Sequence, residues 1–192
     1  LSFITEIGPY VFQGSLIRRI EFENNSQLRI IGKNAFANSN LECIAIPQHV
    51  IEIGKKAFYN CNNFKKIDFA ENAEIISFNE RLFEKTKLTN IKIPASVVRI
   101  SSDVFYSCPI KNIEFQMNSK LKSMYFIFTY KTIESISIPS SFIEFKNILL
   151  FEMRSLNEIS ILQNEQTNIV YSNKLVFGKS ELNKDNFSIL LL

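Results

Sequence analysis

The sequence predicts a solenoid in which coils of about 23 residues stack on one another, with a parallel β-sheet on one face and short helical or 3₁₀ turns and loops on the other. Three observations predict it. Phenylalanine recurs every 22 to 25 residues, an apolar-x-apolar pair follows each of these phenylalanines, and proline ends alternate pairs. Of the 192 residues, 46% are hydrophobic and 21% charged, so the chain has enough apolar side chains for a continuous core.

The first element of each repeat is a phenylalanine that follows an apolar residue. The segment around it is too short for more than about one turn of helix, so we expect short helical or 3₁₀ turns there. Stacked coils would align the rings in a column, here named the phenylalanine spine, and ring stacking would add about 0.5–1.5 kcal/mol per neighbouring pair. The residues of the spine are Phe12, Phe36, Phe58, Phe83, Phe105, Phe128 and Phe151.

The second element is the apolar-x-apolar pair. Because side chains alternate between the two faces of a strand, both apolar residues of a pair point into the core and their neighbours point outward. Equivalent strands of successive coils then lie side by side, about 4.8 Å apart, as one parallel sheet. The pairs are Ile20/Phe22, Ile44/Ile46, Ile67/Phe69, Ile91/Ile93, Ile113/Phe115, Ile136/Ile138 and Ile159/Ile161.

The third element is the linker after each strand, which has two forms that alternate along the chain. One form begins with proline, which lacks the N–H group that a β-ladder needs and is therefore expected where a strand ends. The other form is rich in asparagine or glutamate. We expect both forms to turn the same corner. The proline linkers begin at Pro47, Pro94 and Pro139, and the others cover residues 23–26, 71–73 and 118–119.

The repeats divide the chain into two parts. Residues 1–161 hold seven repeats, whereas residues 162–192 contain strand-like runs at 168–171 and 174–177 but no repeat in register. We expect the second part to be either a C-terminal cap, which would cover the core at the last coil, or a diverged eighth coil. Because the sequence opens with Leu1 inside a repeat-like phrase, we also expect it to be a piece of a longer protein.

Two phrases carry a resemblance to a known family. Residues 46–69 read IPQHVIEIGKKAFYNCNNFKKIDF, and residues 93–115 read IPASVVRISSDVFYSCPIKNIEF. Both resemble the BspA-like class of leucine-rich repeats, whose signature is Ile-Pro-x-Ser-Val-x-x-Ile-Gly-x-x-Ala-Phe-x-x-Cys. The resemblance spans about residues 1–161. The chain departs from the signature in keeping its glycine only at Gly8, Gly32 and Gly54 and its cysteine only at Cys61 and Cys108.

The resemblance implies a leucine-rich-repeat solenoid of the α/β class, dominated by strands. Its members are mostly cell-surface or secreted proteins of bacteria and protists that are associated with adhesion. It therefore implies a non-catalytic protein-protein interaction or adhesion module, a fragment of a cell-surface protein, whose partner is a host, matrix or other cell-surface protein. Two alternatives remain open: an intracellular, cytoplasmic leucine-rich-repeat scaffold, and an accessory domain of a larger protein.

The outward residues of the strands are the predicted binding site. Their row is mixed in charge and has no aromatic side chain, whereas hot spots of protein interfaces are enriched in Trp, Tyr and Arg. Only Arg19 has that character, which indicates a contact of modest affinity or one that depends on avidity. The candidate residues are Arg19, Glu21, Lys66, Asp68, Asn90, Lys92, Asn112 and Glu114.

The cysteines and the single histidine are candidates for other chemistry. Cys61 and Cys108 occupy the same repeat position two coils apart, so we expect about 10 Å between them, beyond the reach of a disulfide. Cys43 lies on the strand side of its coil. We therefore predict three free thiols. His49 follows Pro47 in a linker, where we expect a solvated residue rather than a metal ligand.

Several classes of function are not expected. The carboxylates of Glu21, Asp68 and Glu114 should lie about 10 Å apart on an exposed face, where burial cannot raise the pKa of one of them for acid catalysis. We predict no enzyme activity, cofactor or metal site. The net charge of +3 is small and its cations are scattered, which argues against nucleic acid as a partner. The apolar stretches fall short of the roughly 18 residues of a membrane-spanning helix.

Overall fold

The structure is a computed structural model that describes residues 2–125, 132–139, 141, 144–146, 155, 157–162, 175–179 and 187–191. In these residues the chain winds as a solenoid of short parallel strands joined by tight turns. The predicted fold class is confirmed. Each coil contributes two strands, one on each side of a corner, and the segment around the spine phenylalanine closes the coil.

The apolar-x-apolar pairs form the first set of parallel ladders. Their isoleucines are register partners from coil to coil, as the alternation predicts: Ile20 with Ile44, and Ile44 with Ile67. We name the outward surface of these strands the strand face. The strands are β2 (Arg19–Ile20), β4 (Cys43–Ile46), β6 (Lys66–Phe69), β8 (Asn90–Ile93), β10 (Asn112–Phe115), β12 (Ser135–Pro139) and β14 (Glu158–Leu162). They pair in the orders β2-β4-β6 and β8-β10-β12-β14.

A second set of parallel ladders lies between the corner and the spine. Each of its strands has only two or three residues and one apolar anchor, so the sequence shows no alternation that would predict it. The strands are β1 (Glu6–Ile7), β3 (Ile30–Ile31), β5 (Glu52–Ile53), β7 (Ser77–Phe78), β9 (Arg99–Ile100), β11 (Ser123–Tyr125) and β13 (Glu144–Lys146). They pair in the orders β1-β3-β5 and β7-β9-β11-β13.

The segments around the spine residues are hydrogen-bonded turns rather than continuous helix in the part of the chain that the structure describes. Around Phe36, the N–H groups of Ala35, Ala37 and Ser39 donate to carbonyls three residues earlier, at 3.2, 3.1 and 3.0 Å. The intervening N–H groups, including that of Phe36, donate to carbonyls of the next coil. This alternation lets one segment close its own turns and also pair with its neighbour.

Left-handed residues produce this alternation. Asn34 and Asn38, two positions before and after Phe36, have φ values of 56° and 60°. A left-handed residue cannot continue a right-handed helix, so each one limits the segment to isolated turns of the 3₁₀ type, one of the two forms that the sequence predicted. The same two positions have positive φ around all five spine residues that the structure describes. The residues are Tyr10 and Gly14, Asn34 and Asn38, Lys56 and Asn60, Arg81 and Lys85, and Asp103 and Ser107.

The spine is confirmed from Phe12 to Phe105, and Phe128 and Phe151 lie outside the described residues. Neighbouring rings stack nearly parallel, with centroids 5.2 to 5.8 Å apart and interplanar angles of 7° to 11°. Phe64 stacks on Phe58 at 5.0 Å, and Phe78 meets Phe83 edge-on at 5.7 Å. The core is thus an aromatic column bordered by the isoleucines of the strands.

The two linker forms turn the same corner, as predicted. In the proline form, Val50 N–H donates to Pro47 O at 3.3 Å, and in the other form Ala73 N–H donates to Ala70 O at 3.1 Å. Both bonds close a four-residue turn at the same repeat position. In the linker at residues 23–26, Ser26 Oγ also accepts a hydrogen bond from Leu28 N–H.

The last two strands pair differently from the coils. β15 (Leu175–Lys179) and β16 (Phe187–Leu191) are antiparallel, with Leu175 opposite Leu191 and Lys179 opposite Phe187. The strand-like run predicted at 174–177 overlaps β15, whereas the run at 168–171 lies outside the described residues. The division of the chain at residue 161 and the role of residues 162–192 as a cap or an eighth coil stay predictions.

Candidate functional site

The eight candidate binding residues all lie on the strand face. Arg19, Glu21, Lys66 and Asp68 belong to the first ladder or directly follow its strands, and Asn90, Lys92, Asn112 and Glu114 belong to the second. Seven of the side chains are exposed and Asn112 is half-buried. The alternation of each strand sets this orientation, because Ile67, Ile91 and Ile113 at the intervening positions are buried in the core and Ile20 packs against it partly buried.

The first group of residues is held by charge. Lys66 Nζ lies 2.8 Å from Asp68 Oδ2, and this hydrogen bond, with the attraction between the charges, raises the pKa of the Lys66 ammonium. Arg19, Cys43 and Lys66 are register partners, so a half-buried thiol lies between two exposed cations. Among the described residues, no hydrogen bond or ion pair joins this group to the four candidates of the second ladder.

The second group is held by a chain of hydrogen bonds that includes residues outside the candidate set. Ser135 Oγ donates to Asn112 Oδ1 at 2.7 Å, Asn112 Nδ2 donates to Asn90 Oδ1 at 2.5 Å, and Asn90 Nδ2 donates to Thr89 Oγ1 at 3.0 Å. Lys92 and Glu114, of opposite charge, are register partners beside this chain. The signal for the chain was present in the sequence, since Asn90, Asn112 and Ser135 are one repeat apart.

The row of residues next to these strands adds two ion pairs between coils. Lys111 Nζ lies 2.7 Å from Glu134 Oε1, and Arg18 Nε lies 3.8 Å from Glu42 Oε1. The side chains are partly exposed, so each pair contributes little to stability. The two pairs do hold their four charged side chains in place at the edge of the strand face.

The three cysteines are free thiols, as predicted. Cys61 Sγ donates to Phe36 O at 2.9 Å, and Cys108 Sγ donates to Phe83 O at 2.8 Å and lies 3.2 Å from Thr86 Oγ1. Burial raises the pKa of the Cys61 thiol and raises that of Cys108 to about 11. Both thiols are therefore protonated at neutral pH, which suits neither a nucleophile nor a metal ligand.

His49 differs from the expected solvated residue. It lies in a linker, as the sequence indicated, but it is half-buried and its Nδ1 is 2.8 Å from Glu74 Oε1. Arg29 Nη1 lies 3.7 Å from the other oxygen of that carboxylate. The stacking of successive corners brings these residues together, although 25 positions separate His49 from Glu74 in sequence.

The carboxylates of the solenoid lie in two different environments. Glu21, Asp68 and Glu114 are exposed, as predicted. Glu84 is the one buried carboxylate among the residues whose burial the structure describes, and it lies on the opposite side of the coil, 3.5 Å from Arg81 Nε. The sequence gave no sign of it, since the equivalent positions hold Gln13, Ala37, Tyr59 and Tyr106.

Two further kinds of feature are absent from the described part of the chain. No three or more His, Cys, Asp or Glu side chains are grouped as metal ligands there. Nor do those residues include a helix with the length and apolar character needed to cross a membrane.

A family model described as the BspA type leucine rich repeat region matches residues 2–108 and 76–190, with six copies of the repeat. No curated protein matches the chain.

Among solved structures, the chain is similar to the pneumococcal vaccine antigen PcpA, with a TM-score of 0.65 and 20% identity over 83% of this chain and 49% of that one. It also matches a leucine-rich repeat protein from Eubacterium ventriosum, with a TM-score of 0.43 and 24% identity over 80% of this chain and 44% of that one. A leucine rich cell surface protein from Faecalibacterium prausnitzii matches with a TM-score of 0.42 and 18% identity over 86% and 53% of the two chains. The chain thus spans about half the length of these proteins. The similarity to PcpA supports the fold alone.

Proposed function

Because this chain belongs to the BspA-type leucine-rich-repeat family, we propose that it is a non-catalytic adhesion module that binds protein partners through its strand face at a cell surface. The partner class is a host, matrix or other cell-surface protein. Repeats of this family are typically binding modules rather than enzymes. The proposal assigns the contact to Arg19, Glu21, Lys66, Asp68, Asn90, Lys92, Asn112 and Glu114.

One observation carries the proposal: polar side chains from successive coils stand in register on an exposed surface. Arg19 and Lys66 flank Cys43, and Asn90 and Asn112 are direct partners. Such a row offers charges and amide groups to an extended partner surface without first having to order a loop, because the ladders already hold the backbone. That preorganisation lowers the entropic cost of binding.

The chemistry of this face favours binding over catalysis. Its carboxylates are exposed, and the buried thiols of Cys61 and Cys108 lie in the core rather than on the face. Charges of both signs alternate along it, for example Lys92 beside Glu114. A partner of mixed charge would be recognised by complementarity, with modest affinity per module that several modules on one surface could multiply.

The test reverses three charges of the face. The triple variant Arg19→Glu, Lys66→Glu, Lys92→Glu should lose binding to purified matrix glycoproteins in a surface plasmon resonance panel, by about tenfold or more, since each reversal replaces an attraction with a repulsion. The control is Arg99→Glu, Lys120→Glu, Lys122→Glu, which makes the same charge change at exposed positions off the face. If the first triple binds like the unmodified chain while the control does too, the strand face is not the site.

A second candidate function is an intracellular scaffold that uses the same solenoid. Three free thiols favour it, because unpaired cysteines are commoner in reducing compartments. An antibody raised against residues 2–124 separates the two in cells that produce the protein. Staining of intact cells supports the surface module, whereas staining only after permeabilisation supports the scaffold.

A further inference from the structure

The side of the solenoid opposite the strand face collects an excess of positive charge. We name this surface the turn face and define it as residues 33–40, 55–62, 80–87 and 102–107. It holds six Lys or Arg and three Asp or Glu residues, so its excess of three positive charges equals the formal net charge of the whole chain, +3. The cations are scattered in sequence, and the coils bring them to one side. They are Lys33, Lys55, Lys56, Arg81, Lys85 and Lys87.

The carboxylates of the turn face are bound by two of these cations. Arg81 Nε lies 3.5, 3.6 and 3.8 Å from oxygens of Glu84, Glu80 and Asp103. Lys55 Nζ lies 2.8 Å from Glu80 Oε2, and this hydrogen bond is the main reason why the pKa of Glu80 is lowered, with Lys56 adding only a weak attraction. The excess charge therefore resides on the remaining lysines.

Three of those lysines are held against tyrosine rings. Lys33 Nζ lies 5.9 Å from the centroid of Tyr10, and Lys56 and Lys85 lie 5.2 and 5.7 Å from the centroid of one ring, Tyr59. The rings restrain the long side chains, which reduces the entropy that binding would cost. Because both distances end at one centroid, the two ammonium groups lie no more than about 11 Å apart and concentrate positive charge on this part of the turn face.

Amide side chains lie between the lysines. Asn60 Nδ2 donates to Asn38 Oδ1 at 2.7 Å, and the remaining amide groups of this pair can bind hydroxyl groups. Asn38, Asn60 and Lys85 occupy the same repeat position, two residues after the spine phenylalanine. The turn face thus carries amides beside ammonium groups, whereas its apolar residues Ala35, Ala57 and Leu82 are buried.

We propose that the turn face binds an acidic polysaccharide, through Lys33, Lys56 and Lys85 for its carboxylate or sulfate groups and through Asn38 and Asn60 for its hydroxyls. A protein partner fits this surface less well, because protein interfaces are depleted in lysine and need an apolar centre. The site is distinct from the strand face, so a failed test of polysaccharide binding would not contradict the adhesion function, and a failed test of adhesion would not contradict polysaccharide binding.

The test compares two triple variants that lose the same charge. Lys33→Gln, Lys56→Gln, Lys85→Gln removes the three ammonium groups of the turn face, and Arg19→Gln, Lys66→Gln, Lys92→Gln removes three cations of the strand face. Calorimetric titration uses heparin oligosaccharides as the sulfated probe, polygalacturonate as the carboxylated probe and dextran as the neutral one. Polyglutamate and single-stranded DNA serve as acidic polymers that are not polysaccharides. Circular dichroism verifies that both variants fold.

The expected result is saturable binding of at least one acidic polysaccharide, weakened by added salt and absent for dextran. The turn-face variant should bind about tenfold more weakly or worse, and the strand-face variant within about twofold of the unmodified chain. Three results overturn the proposal: no saturable binding of either acidic probe, an equal loss in both variants, or equally tight binding of polyglutamate or single-stranded DNA. A loss of protein binding in the strand-face variant alone would bear only on the adhesion function.

Discussion

The residue three positions after each spine phenylalanine carries a hydroxyl or a thiol in all five described coils and is buried in the last four. The residues are Ser15, Ser39, Cys61, Thr86 and Cys108. Cys61 lies 3.5 Å from Ser39 Oγ, and Cys108 lies 3.2 Å from Thr86 Oγ1. The two thiols also satisfy carbonyls of the preceding coil, since Cys61 Sγ donates to Phe36 O and Cys108 Sγ donates to Phe83 O.

The thiols at this position give the fold a dependence on alkaline pH. Burial raises the pKa of Cys108 from 9.0 to about 11 and shifts that of Cys61 in the same direction. The folded state thus keeps a proton that the unfolded state loses, so this contribution is complete below pH 9 and is lost as the pH rises from 9 to about 11. Cys108 alone would contribute up to about 3 kcal/mol.

Replacement of both thiols by serine tests this dependence. The variant Cys61→Ser, Cys108→Ser removes the titrating groups and replaces each with serine, the residue that Ser39 supplies at the same repeat position. Urea unfolding at pH 8 and pH 11 should show a smaller loss of stability for the variant than for the unmodified chain, with lysine and tyrosine titration common to both. The control is Cys43→Ser, on the half-buried strand-face thiol. Equal losses in all three proteins would contradict the prediction.

At the scale of the elements, two glycines let the second set of ladders stack closely. A Cβ atom on Gly54 would lie 2.5 Å from Lys33 N and 2.8 Å from Gly32 C, and one on Gly32 would lie 2.6 Å from Pro9 N. These are backbone atoms that cannot move unless the coils separate. At Gly8 the nearest atom would be Val11 Cγ2, at an ordinary 3.5 Å.

Alanine at these glycines should therefore have unequal effects. We expect Gly32→Ala and Gly54→Ala each to lower the free energy of unfolding by about 1–3 kcal/mol through steric overlap. Gly8→Ala is the matched control, since it makes the same chemical change at the same repeat position, and we expect it to stay within about 0.5 kcal/mol. Urea unfolding of the three variants measures the difference, and similar values for all three would rule out close backbone contact as the cause.

The elements also show how far the sequence could predict the fold. The strands of the strand face were predictable because two buried isoleucines, such as Ile44 and Ile46, alternate with exposed residues. Strands with a single anchor, such as Ile53, carry no such signal and were missed. The spine segments were expected to hold short helical or 3₁₀ turns, and they hold isolated turns closed by bonds to the third residue back. What the sequence did not show is the left-handed residue between turns, because nothing in a residue such as Lys56 announces a φ of 60°. That value follows from pairing with the next coil.

Prediction of the candidate site had a similar limit. Alternation placed Asn90 and Lys92 outward, but the partners of each side chain depend on the register between coils. Both strand ladders are interrupted after the third coil, where the step from Phe58 to Phe83 is 25 residues, the longest in the chain. The hydrogen bonds between successive spine turns continue across this point, because Phe58 N–H donates to Leu82 O at 3.1 Å. The repeat lengths reveal the irregularity, but they do not show which set of hydrogen bonds between coils continues across it.

At the scale of the whole molecule, the phenylalanine spine runs through the continuous apolar core that links the coils. In a solenoid each coil contacts only its neighbours, so cooperativity depends on the interfaces between them. Phe58 occupies the middle of the described spine, is fully buried, and stacks on Phe36, Phe64 and Phe83 at 5.5, 5.0 and 5.7 Å. Phe12 is half-buried in the first coil and stacks on Phe36 at 5.2 Å.

Removal of the central ring should therefore divide the unfolding transition. We expect Phe58→Ala to cost about 3–5 kcal/mol and to broaden urea unfolding, because the coils before and after it lose their common interface. Phe12→Ala, the matched control, should cost no more than about 2 kcal/mol and leave the transition sharp. Hydrogen exchange shows where the structure is lost. In Phe58→Ala, amides that bridge coils, such as Phe36 N–H and Phe83 N–H, should lose protection from exchange. In Phe12→Ala, the loss of protection should be confined to the first coil. A single sharp transition for Phe58→Ala, with protection lost evenly along the chain, would mean that the strand ladders rather than the spine carry cooperativity between the coils.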